Sequence, residues 1–352
     1  MENIMTRKTW FIALIVVLMI GTSIPAAEAE DGPGTPVEIN LVDSQSADTF
    51  WTEAKMAEAR PYPIPTYTSD QTREGMFELK DYGQPLTLMP GSNGTKAAAN
   101  KVSLEESLYN PLASFYNYPP PFNRYKVPGV KRFPNRAIGK LYFVQGGYSY
   151  VCSASVVQDS ALLTAGHCLS NGSGGFSNNI LFVPGKKGPS EPYGTWKCGK
   201  ILIPNGYLFG GNPEYDYAFC KVIKKGGTTS IGSVTGYLGV AWGGTNLRMW
   251  NSFGYPAAPP FNGQSQQTCQ ASLSSTVNLV SGGYDNIGMG CDMTGGSSGG
   301  PWVWLYNVGG GNYANGVNSF VLIKNGVLQG KQMFSPYFSN DLQNFYNIFK
   351  NW

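Results

Sequence analysis

The chain has 352 residues, of which 42% are hydrophobic and 13% are charged. That is enough apolar content for a folded domain with a sizeable core, and too little charge for a highly charged disordered chain. Its 25 Lys and Arg against 22 Asp and Glu give a net charge of +3, which does not indicate a nucleic-acid-binding protein. His167 is the single histidine, so zinc sites built on two or three histidines are excluded and no metal site is predicted.

The first thirty residues have the pattern of an export signal. Arg7 and Lys8 precede an apolar run over residues 10–20, and small residues follow up to Ala29. This order is typical of a secretory signal peptide, and the apolar run is shorter than the roughly 20 residues that span a bilayer. We therefore predict a signal peptide over residues 1–29 and a secreted, extracellular product with no stable membrane anchor. A retained anchor is the alternative.

Residues 30–132 differ in composition from the rest of the chain. They contain no cysteine and many prolines, among them Pro61, Pro63 and Pro65. One helix-like stretch, residues 49–60, ends at Pro61, which cannot continue a helix. Two interpretations stay open: a disordered linker, or a pro-segment that assists folding or inhibits the chain from within. We assign 30–132 to a pro-segment, with Lys131-Arg132 as its cleavage neighbourhood, and 133–352 to the main domain.

From Ile138 onward, short β-type runs alternate with turns rich in glycine, asparagine and proline. This spacing predicts an all-β fold, an antiparallel sandwich or barrel. At the C-terminus, apolar residues at i, i+3, i+4 and i+7 predict one short helix over Asn340–Trp352 that packs through that face. The predicted strands are Ile138–Val144, Tyr148–Val157, Ile180–Val183, Lys197–Ile203, Tyr217–Ile223, Leu247–Phe253, Gly316–Ile323 and Met333–Phe338.

None of the six cysteines lies before residue 152. In an oxidising compartment an even number predicts three disulfides, although six cysteines allow many connectivities. Pairing of neighbours closes the shortest loops and is favoured. The neighbouring pairs are Cys152 with Cys168, Cys198 with Cys220, and Cys269 with Cys291.

Three short motifs contain the residues of a nucleophilic hydrolase. His167 follows a hydrophobic strand, Asp216 opens an apolar one, and Ser298 lies in a glycine-rich turn. A serine hydroxyl needs a base to become nucleophilic, a histidine is such a base near neutral pH, and a carboxylate orients the histidine. We predict these three roles for Ser298, His167 and Asp216.

The order of these residues separates two classes of hydrolase. Gly296–Gly300 also fits Gly-x-Ser-x-Gly, the nucleophile elbow of α/β-hydrolases, whose order is serine, acid, histidine. Here the single histidine precedes the serine, so an esterase or lipase of that fold is excluded. The order histidine, aspartate, serine is the one that chymotrypsin-like β-barrel peptidases use.

The segments Thr164–Cys168, Asp216–Ala218 and Gly296–Pro301 resemble the three signatures of the trypsin/chymotrypsin family. Cys152 stands where that family places the partner of the cysteine beside its histidine. The resemblance covers residues 135–352.

Further segments resemble one branch of this family, the secreted, mostly bacterial peptidases similar to glutamyl endopeptidases. They are Gly254–Pro256 and Cys291–Trp302. Residues 51–59 resemble a stretch in the pro-regions of such precursors.

The resemblance implies two antiparallel six-stranded β-barrels with the site in the cleft between them. Backbone N–H groups of Gly296 and Ser298 would form the oxyanion hole, and Ser319, Phe320 and Val321 would bind the substrate main chain. The implied reaction is hydrolysis of proteins or peptides through an acyl-enzyme, without metal or organic cofactor. Separately, we expect the protein to be a monomer.

Three positions qualify what the resemblance implies. Ser297 stands where trypsin-like zymogens carry an aspartate for the new N-terminus, so we expect activation by another route. Asp292 stands where such enzymes bind Lys or Arg side chains, which suggests cleavage after Lys or Arg; alternatively, its carboxylate belongs to a local network beside Cys291. Asn318 replaces the histidine on which glutamyl specificity relies in this branch, which disfavours a glutamate preference.

A second function from another class stays open. A catalytically silent relative could serve as a binding or surface protein, but such relatives usually lack a triad residue. All three positions are filled here, so an active serine endopeptidase is the favoured interpretation.

Overall fold

The chain divides by its contacts into Met1–Asp31 and a second unit, Gly32–Trp352, which is the unit described below. The predicted signal peptide lies outside the described residues. None of the helices in the described part of the chain is long and apolar enough to cross a membrane. The computed structural model describes residues 32–68, 84–94 and 121–352, except residues 43, 45, 281, 282, 329 and 330.

Strands predominate over helices in the described residues. The strands are β1 (Pro36–Asn40), β2 (Arg60–Pro61), β3 (Thr66–Thr68), β4 (Thr87–Met89), β5 (Asn123–Lys126), β6 (Ile138–Gln145), β7 (Tyr148–Gln158), β8 (Ala161–Thr164), β9 (Asn178–Pro184), β10 (Trp196–Pro204), β11 (Ala218–Val222), β12 (Gly239–Trp242), β13 (Met249–Gly254), β14 (Gln267–Val277), β15 (Asn286–Gly290), β16 (Pro301–Trp304), β17 (Tyr313–Val317), β18 (Val321–Lys324), β19 (Val327–Leu328) and β20 (Gln332–Ser335). The α-helices are α1 (Ala47–Phe50), α2 (Glu53–Glu58), α3 (Gly166–Leu169), α4 (Asn205–Gly210), α5 (Ile231–Thr235) and α6 (Leu342–Phe349).

The first β-unit is a closed antiparallel barrel of six strands. Its order is β10-β11-β8-β7-β6-β9, and β9 pairs back onto β10 to close it. The β6–β7 hairpin turns at Gly146 and Gly147, both with positive φ, which is the backbone that a tight two-residue hairpin needs. Apolar side chains from all six strands fill the interior. One of the two predicted barrels is therefore confirmed.

The second β-unit is a sheet with the order β20-β15-β14-β13-β16-β17, to which β12 adds in parallel beside β17. Its end strands, β17 and β20, are not joined by a ladder. An isolated bridge between Phe320 and Phe334 links the chain after β17 to β20. Closure of this unit as a second six-stranded barrel stays a prediction.

The described parts of the predicted pro-segment contain strands that pair with both β-units. β1 pairs with β10 and β2 with β7 of the first β-unit, whereas β4 pairs with β12 and β5 with β14 of the second β-unit. β3 pairs with β18. Val127 and Val130 are buried in the main core. The disordered-linker interpretation is therefore wrong for these described parts.

The three disulfides are the neighbouring pairs that short-loop closure favours. The C-terminal helix α6 is also present, and buries Leu342, Phe345 and Phe349. Phe345 and Phe349 contact Phe219 of the first barrel at ring distances of 5.8 and 4.5 Å. Packing is therefore the role of this helix.

Two predicted elements differ from the structure. The run Gly316–Ile323 is not one strand but the end of β17 and the start of β18, because Asn318 and Ser319 turn aside to make side-chain hydrogen bonds. The helix-like stretch over residues 49–60 is two short helices separated at Trp51, whose side chain is buried against the first barrel.

Candidate active site

The topology of the first barrel brings His167 and Asp216 together. His167 lies on α3, directly after β8, and Asp216 lies just before β11. Because β8 and β11 are antiparallel neighbours, with Thr164 opposite Ala218, the two residues meet at one end of the barrel. His167 Nδ1 is 2.8 Å from Asp216 Oδ2, and the His167 backbone N–H donates to Oδ1 at 2.8 Å. This pairing leaves Nε2 as the imidazole nitrogen available to a reacting group.

The predicted nucleophile lies in the turn between β15 and β16. Ser298 is fully buried, and its carbonyl oxygen accepts the Ser153 N–H of β7 at 2.7 Å. Neither Ser298 Oγ nor His167 Nε2 has a hydrogen-bond partner among the described residues. Catalytic hydrogen bonds are often long or unformed before substrate binds, so this geometry is compatible with the predicted roles.

Gly299 permits the close approach of this turn to the histidine. Its φ is +77°, and a Cβ there would lie 2.0 Å from Thr164 Oγ1 and 2.7 Å from Ala165 N. Only a residue without a side chain fits both restrictions. The turn therefore packs against Thr164 and Ala165, the residues that lead into His167.

Asn318 holds the nucleophile turn and was not assigned this role from the sequence. Its Oδ1 accepts from Ser252 Oγ at 2.6 Å and Trp302 Nε1 at 2.9 Å. Its Nδ2 donates to the carbonyl oxygens of Phe253 at 2.9 Å and Ser297 at 3.1 Å. The side chain is fully buried, and its four hydrogen bonds join groups that surround the nucleophile turn.

Ser153 is a second positioning residue that the sequence did not reveal. Its Oγ donates to the Gly296 carbonyl oxygen at 2.9 Å and accepts the Tyr255 N–H at 2.8 Å. Its location one residue after Cys152 is the only signal that could have indicated it. These two hydrogen bonds, with the one between the Ser153 N–H and the Ser298 carbonyl oxygen, connect β7 to loops of the second β-unit.

The three residues of the predicted substrate strand have different environments. Ser319 Oγ donates a hydrogen bond to Asp216 Oδ2, so this hydroxyl helps to orient the carboxylate. Phe320 is buried and stacks on Phe334 at 5.1 Å. The backbone N–H of Val321 donates a hydrogen bond to the carbonyl oxygen of Pro65 at 3.1 Å.

Of the two predicted oxyanion donors, Gly296 already donates its backbone N–H to a carbonyl oxygen. Its φ is +92°, and a Cβ there would lie 2.9 Å from Tyr255 O. Its N–H donates to the carbonyl oxygen of Tyr62 at 3.2 Å. The N–H thus points to a place that a carbonyl oxygen can occupy, as an oxyanion donor requires.

Asp292, the predicted specificity residue, is already paired with cations. Its Oδ1 lies 2.7 Å from Arg124 Nε, and its Oδ2 lies 3.9 Å from Lys331 Nζ. Arg124 belongs to β5, within the predicted pro-segment, and its guanidinium also lies 4.9 Å from the Phe261 ring. A pairing with another strand is not a turn network local to Cys291, so the role of Asp292 stays a prediction.

One group of possible metal ligands occurs among the described residues: Cys152, His167 and Cys168, within 4.8 Å of one another. Both sulfurs belong to the Cys152–Cys168 disulfide. Because metal-binding cysteine is a thiolate, these sulfurs are not ligands, and the group does not fit a metal ion.

No family model matches the sequence. The chain is 27% identical over 291 residues to a glutamyl endopeptidase of Bacillus licheniformis, over 82% of this chain and 79% of that protein. It is 26% identical over 230 residues to a Bacillus subtilis protein named extracellular metalloprotease, over 63% of this chain and 64% of that protein.

Two solved structures give higher identity over a smaller share of the chain. The protease Anisep from Arthrobacter nicotinovorans is 36% identical, with a TM-score of 0.53, over 60% of this chain and 94% of that one. The thermostable serine protease AL20 from an extremophilic microorganism is 34% identical, with a TM-score of 0.54, over 61% and 97%.

Proposed function

Because this chain belongs to the chymotrypsin-like serine peptidases that resemble glutamyl endopeptidases, we propose that it hydrolyses peptide bonds through an acyl-enzyme on Ser298. That it is a serine endopeptidase follows from its relatives. The residue roles, the order of steps and the residue preference are the proposal. The observation that supports it best is the buried His167–Asp216 pair, together with the packing of the Ser298 turn against Thr164 and Ala165.

In the proposed reaction, His167 Nε2 takes the proton of Ser298 Oγ as the oxygen attacks the scissile carbonyl carbon. Asp216, which accepts at both oxygens, keeps Nδ1 protonated and stabilises the imidazolium. The negatively charged oxygen of the tetrahedral intermediate accepts hydrogen bonds from the backbone N–H groups of Gly296 and Ser298. His167 then returns the proton to the leaving amine, and water repeats the sequence to release the acid.

Labelling with a fluorophosphonate probe tests the nucleophile. The processed wild-type protein should be labelled, and Ser298→Ala should not be. Ser297→Ala is the matched control, since the neighbouring hydroxyl is buried without a hydrogen-bond partner among the described residues and should keep labelling. Failure of the folded wild-type protein to react would favour the silent-relative alternative.

For residue preference, we propose that Asp292 does not select Lys or Arg, because Lys331 stays beside its carboxylate after maturation removes Arg124. A substrate cation would have to share the carboxylate with the Lys331 ammonium group, which lies 3.9 Å from Oδ2. The test uses fluorogenic peptides that differ only in the residue before the scissile bond. Each peptide is given to wild type and to Asp292→Ser. We expect similar ratios of kcat/KM in both. A preference for Lys and Arg that Asp292→Ser abolishes would restore the basic-pocket hypothesis.

The proposal also includes export and maturation. Removal of residues 1–29 and cleavage near residue 132 would leave a peptidase domain of two six-stranded barrels that acts as a monomer. Intact-mass measurement of the protein recovered from the medium gives both cleavage sites. A species that still contains residues 30–132 after full activity develops would contradict the assigned pro-segment.

A further inference from the structure

Residues 60–68 cross the candidate active site in an extended conformation, and we call them the cleft segment. At one end, Arg60 and Pro61 pair in parallel with Tyr150 and Val151 of β7. The next N–H, that of Tyr62, donates to the Val151 carbonyl oxygen at 3.0 Å. The segment thus enters the site along the strand that leads to Cys152.

At its centre, the cleft segment covers the reacting groups. The Tyr62 ring stacks on the His167 imidazole, with centroids 5.5 Å apart and planes at 25°. Its hydroxyl donates to Gln145 Oε1 at 2.5 Å. Its carbonyl oxygen accepts the Gly296 N–H at 3.2 Å, in the place proposed for the substrate oxyanion. His167 is only 3% exposed beneath it.

At the other end, the segment lies on the predicted substrate strand. Val321 N–H donates to the Pro65 carbonyl oxygen at 3.1 Å. β3 then pairs in parallel with β18, with Val321 opposite Thr66, and the Tyr67 ring packs edge-on against Phe320 at 5.0 Å. Nine consecutive residues therefore contact both sides of the cleft.

The chain direction of this segment is opposite to that of a cleavable substrate. The leaving nitrogen follows the scissile carbonyl and must receive its proton from His167. The C-terminal half of a substrate therefore lies on the His167 and β7 side, and its N-terminal half on β18. The cleft segment places its N-terminal end on β7 and its C-terminal end on β18. The nitrogen after the Tyr62 carbonyl, that of Pro63, consequently leads away from His167.

Alternating prolines suit the segment to this position. Pro61, Pro63 and Pro65 fix φ and hold the preceding residues in extended conformations, so little entropy is lost when the segment is bound. Since proline has no N–H, the donors are limited to the residues between, of which Tyr62 binds β7. This accounts for a proline pattern that composition alone left unexplained.

We propose that residues 60–68 inhibit the peptidase as a reverse-running peptide ligand, held in the substrate cleft in an orientation that cannot be cut. This inference rests on the proposed function, because it requires Ser298 and His167 to be the reacting groups. It assigns the cleft a second class of ligand, extended proline-rich peptides of opposite chain direction.

The first experiment uses the full chain. Fluorophosphonate labelling of the intact band should be about tenfold faster in Tyr62→Ala than in wild type, since the ring over His167 is lost. Tyr125→Ala is the matched control, a 41% exposed tyrosine elsewhere in the predicted pro-segment, and should label like wild type. Equal rates for Tyr62→Ala and wild type would overturn the proposal.

The second experiment does not depend on the folding of a variant. A synthetic peptide of residues 60–68 is added to the processed protein, beside a peptide of the same residues in reverse order. The native-order peptide should slow labelling in a concentration-dependent way and stay intact by mass spectrometry. Normal labelling at every concentration, or cleavage of that peptide, overturns the inference alone. No labelling without any peptide overturns the proposed function, and the inference with it.

Discussion

Asn318 shows how one position can have a different role from the one its place in a family suggests. In the sequence, Asn318 matters for substrate preference, because it replaces the histidine on which glutamyl specificity relies in the branch that the chain resembles. In the structure, its buried amide uses both donors and both acceptor sites on groups that surround the nucleophile turn. A side chain so fully engaged is not available to a substrate, so its effect on catalysis must come through the position of Ser298.

Replacing Asn318 with aspartate should show whether the side chain positions the nucleophile turn or contacts the substrate. The carboxylate would face the carbonyl oxygens of Phe253 and Ser297 without an N–H to donate, which costs about 2–4 kcal/mol of unfolding free energy. We expect the urea midpoint to fall and the labelling rate of Ser298 to fall with it, while the ratios among peptide substrates stay unchanged. Asn344→Asp, at an exposed position of α6, is the control. A changed residue preference with normal stability would show that Asn318 contacts substrate.

At the scale of elements, the hydrophobic pattern predicted those strands whose position depends on the local sequence. Five of the six strands of the first barrel lie within two residues of their predicted bounds, because their alternating or continuous apolar runs face one core, whereas β8 was given no bounds. β14 was missed, since its second half is mostly serine and threonine. β3 and the cleft segment could not be predicted, because their partners lie more than 80 residues away and the bonds involve backbone groups.

The short turn Pro213–Tyr215, which leads into Asp216, contains a carboxylate whose charge is unfavourable. Glu214 is 5% exposed and abuts Gly283. Burial raises its pKa to about 7, and the neighbouring Asp285 acts in the same direction. Between about pH 4.5 and 7 the folded chain therefore holds a proton that the unfolded chain releases. Stability from this group is present below that interval and is lost as pH rises through it.

Glu214→Gln should remove this dependence, because the amide imitates the protonated carboxyl. We expect the variant to match wild type near pH 4.5 and to be more stable at pH 8, with the difference appearing as pH rises toward about 7. Urea unfolding at a series of pH values measures it. Glu58→Gln, on the exposed face of α2, should show no such divergence. A variant that is less stable at pH 8 would mean that the charged form is favoured by a partner.

At the scale of the whole molecule, the predicted pro-segment pairs with both β-units and is also anchored by Trp51. Trp51 is 4% exposed on the outer face of the first barrel, where it packs against Tyr142 at 5.4 Å. Its Nε1–H donates to the Asn179 carbonyl oxygen at 2.5 Å. This side chain holds the chain that leads, nine residues later, into the cleft segment.

Trp51→Ala should therefore release the cleft segment without touching the active site. Removing a buried tryptophan costs about 3–5 kcal/mol, and this loss should appear as local opening of the anchored chain. In hydrogen exchange of the full chain, peptides from residues 47–68 should exchange faster, while those from β8 and β11 stay protected. Fluorophosphonate labelling should accelerate as it does for Tyr62→Ala. Phe209→Ala, which removes a 58% exposed ring, should change neither. Faster exchange in β8 and β11 would instead make Trp51 part of the barrel's own stability, and the segment would then be a folding element as well as an inhibitor.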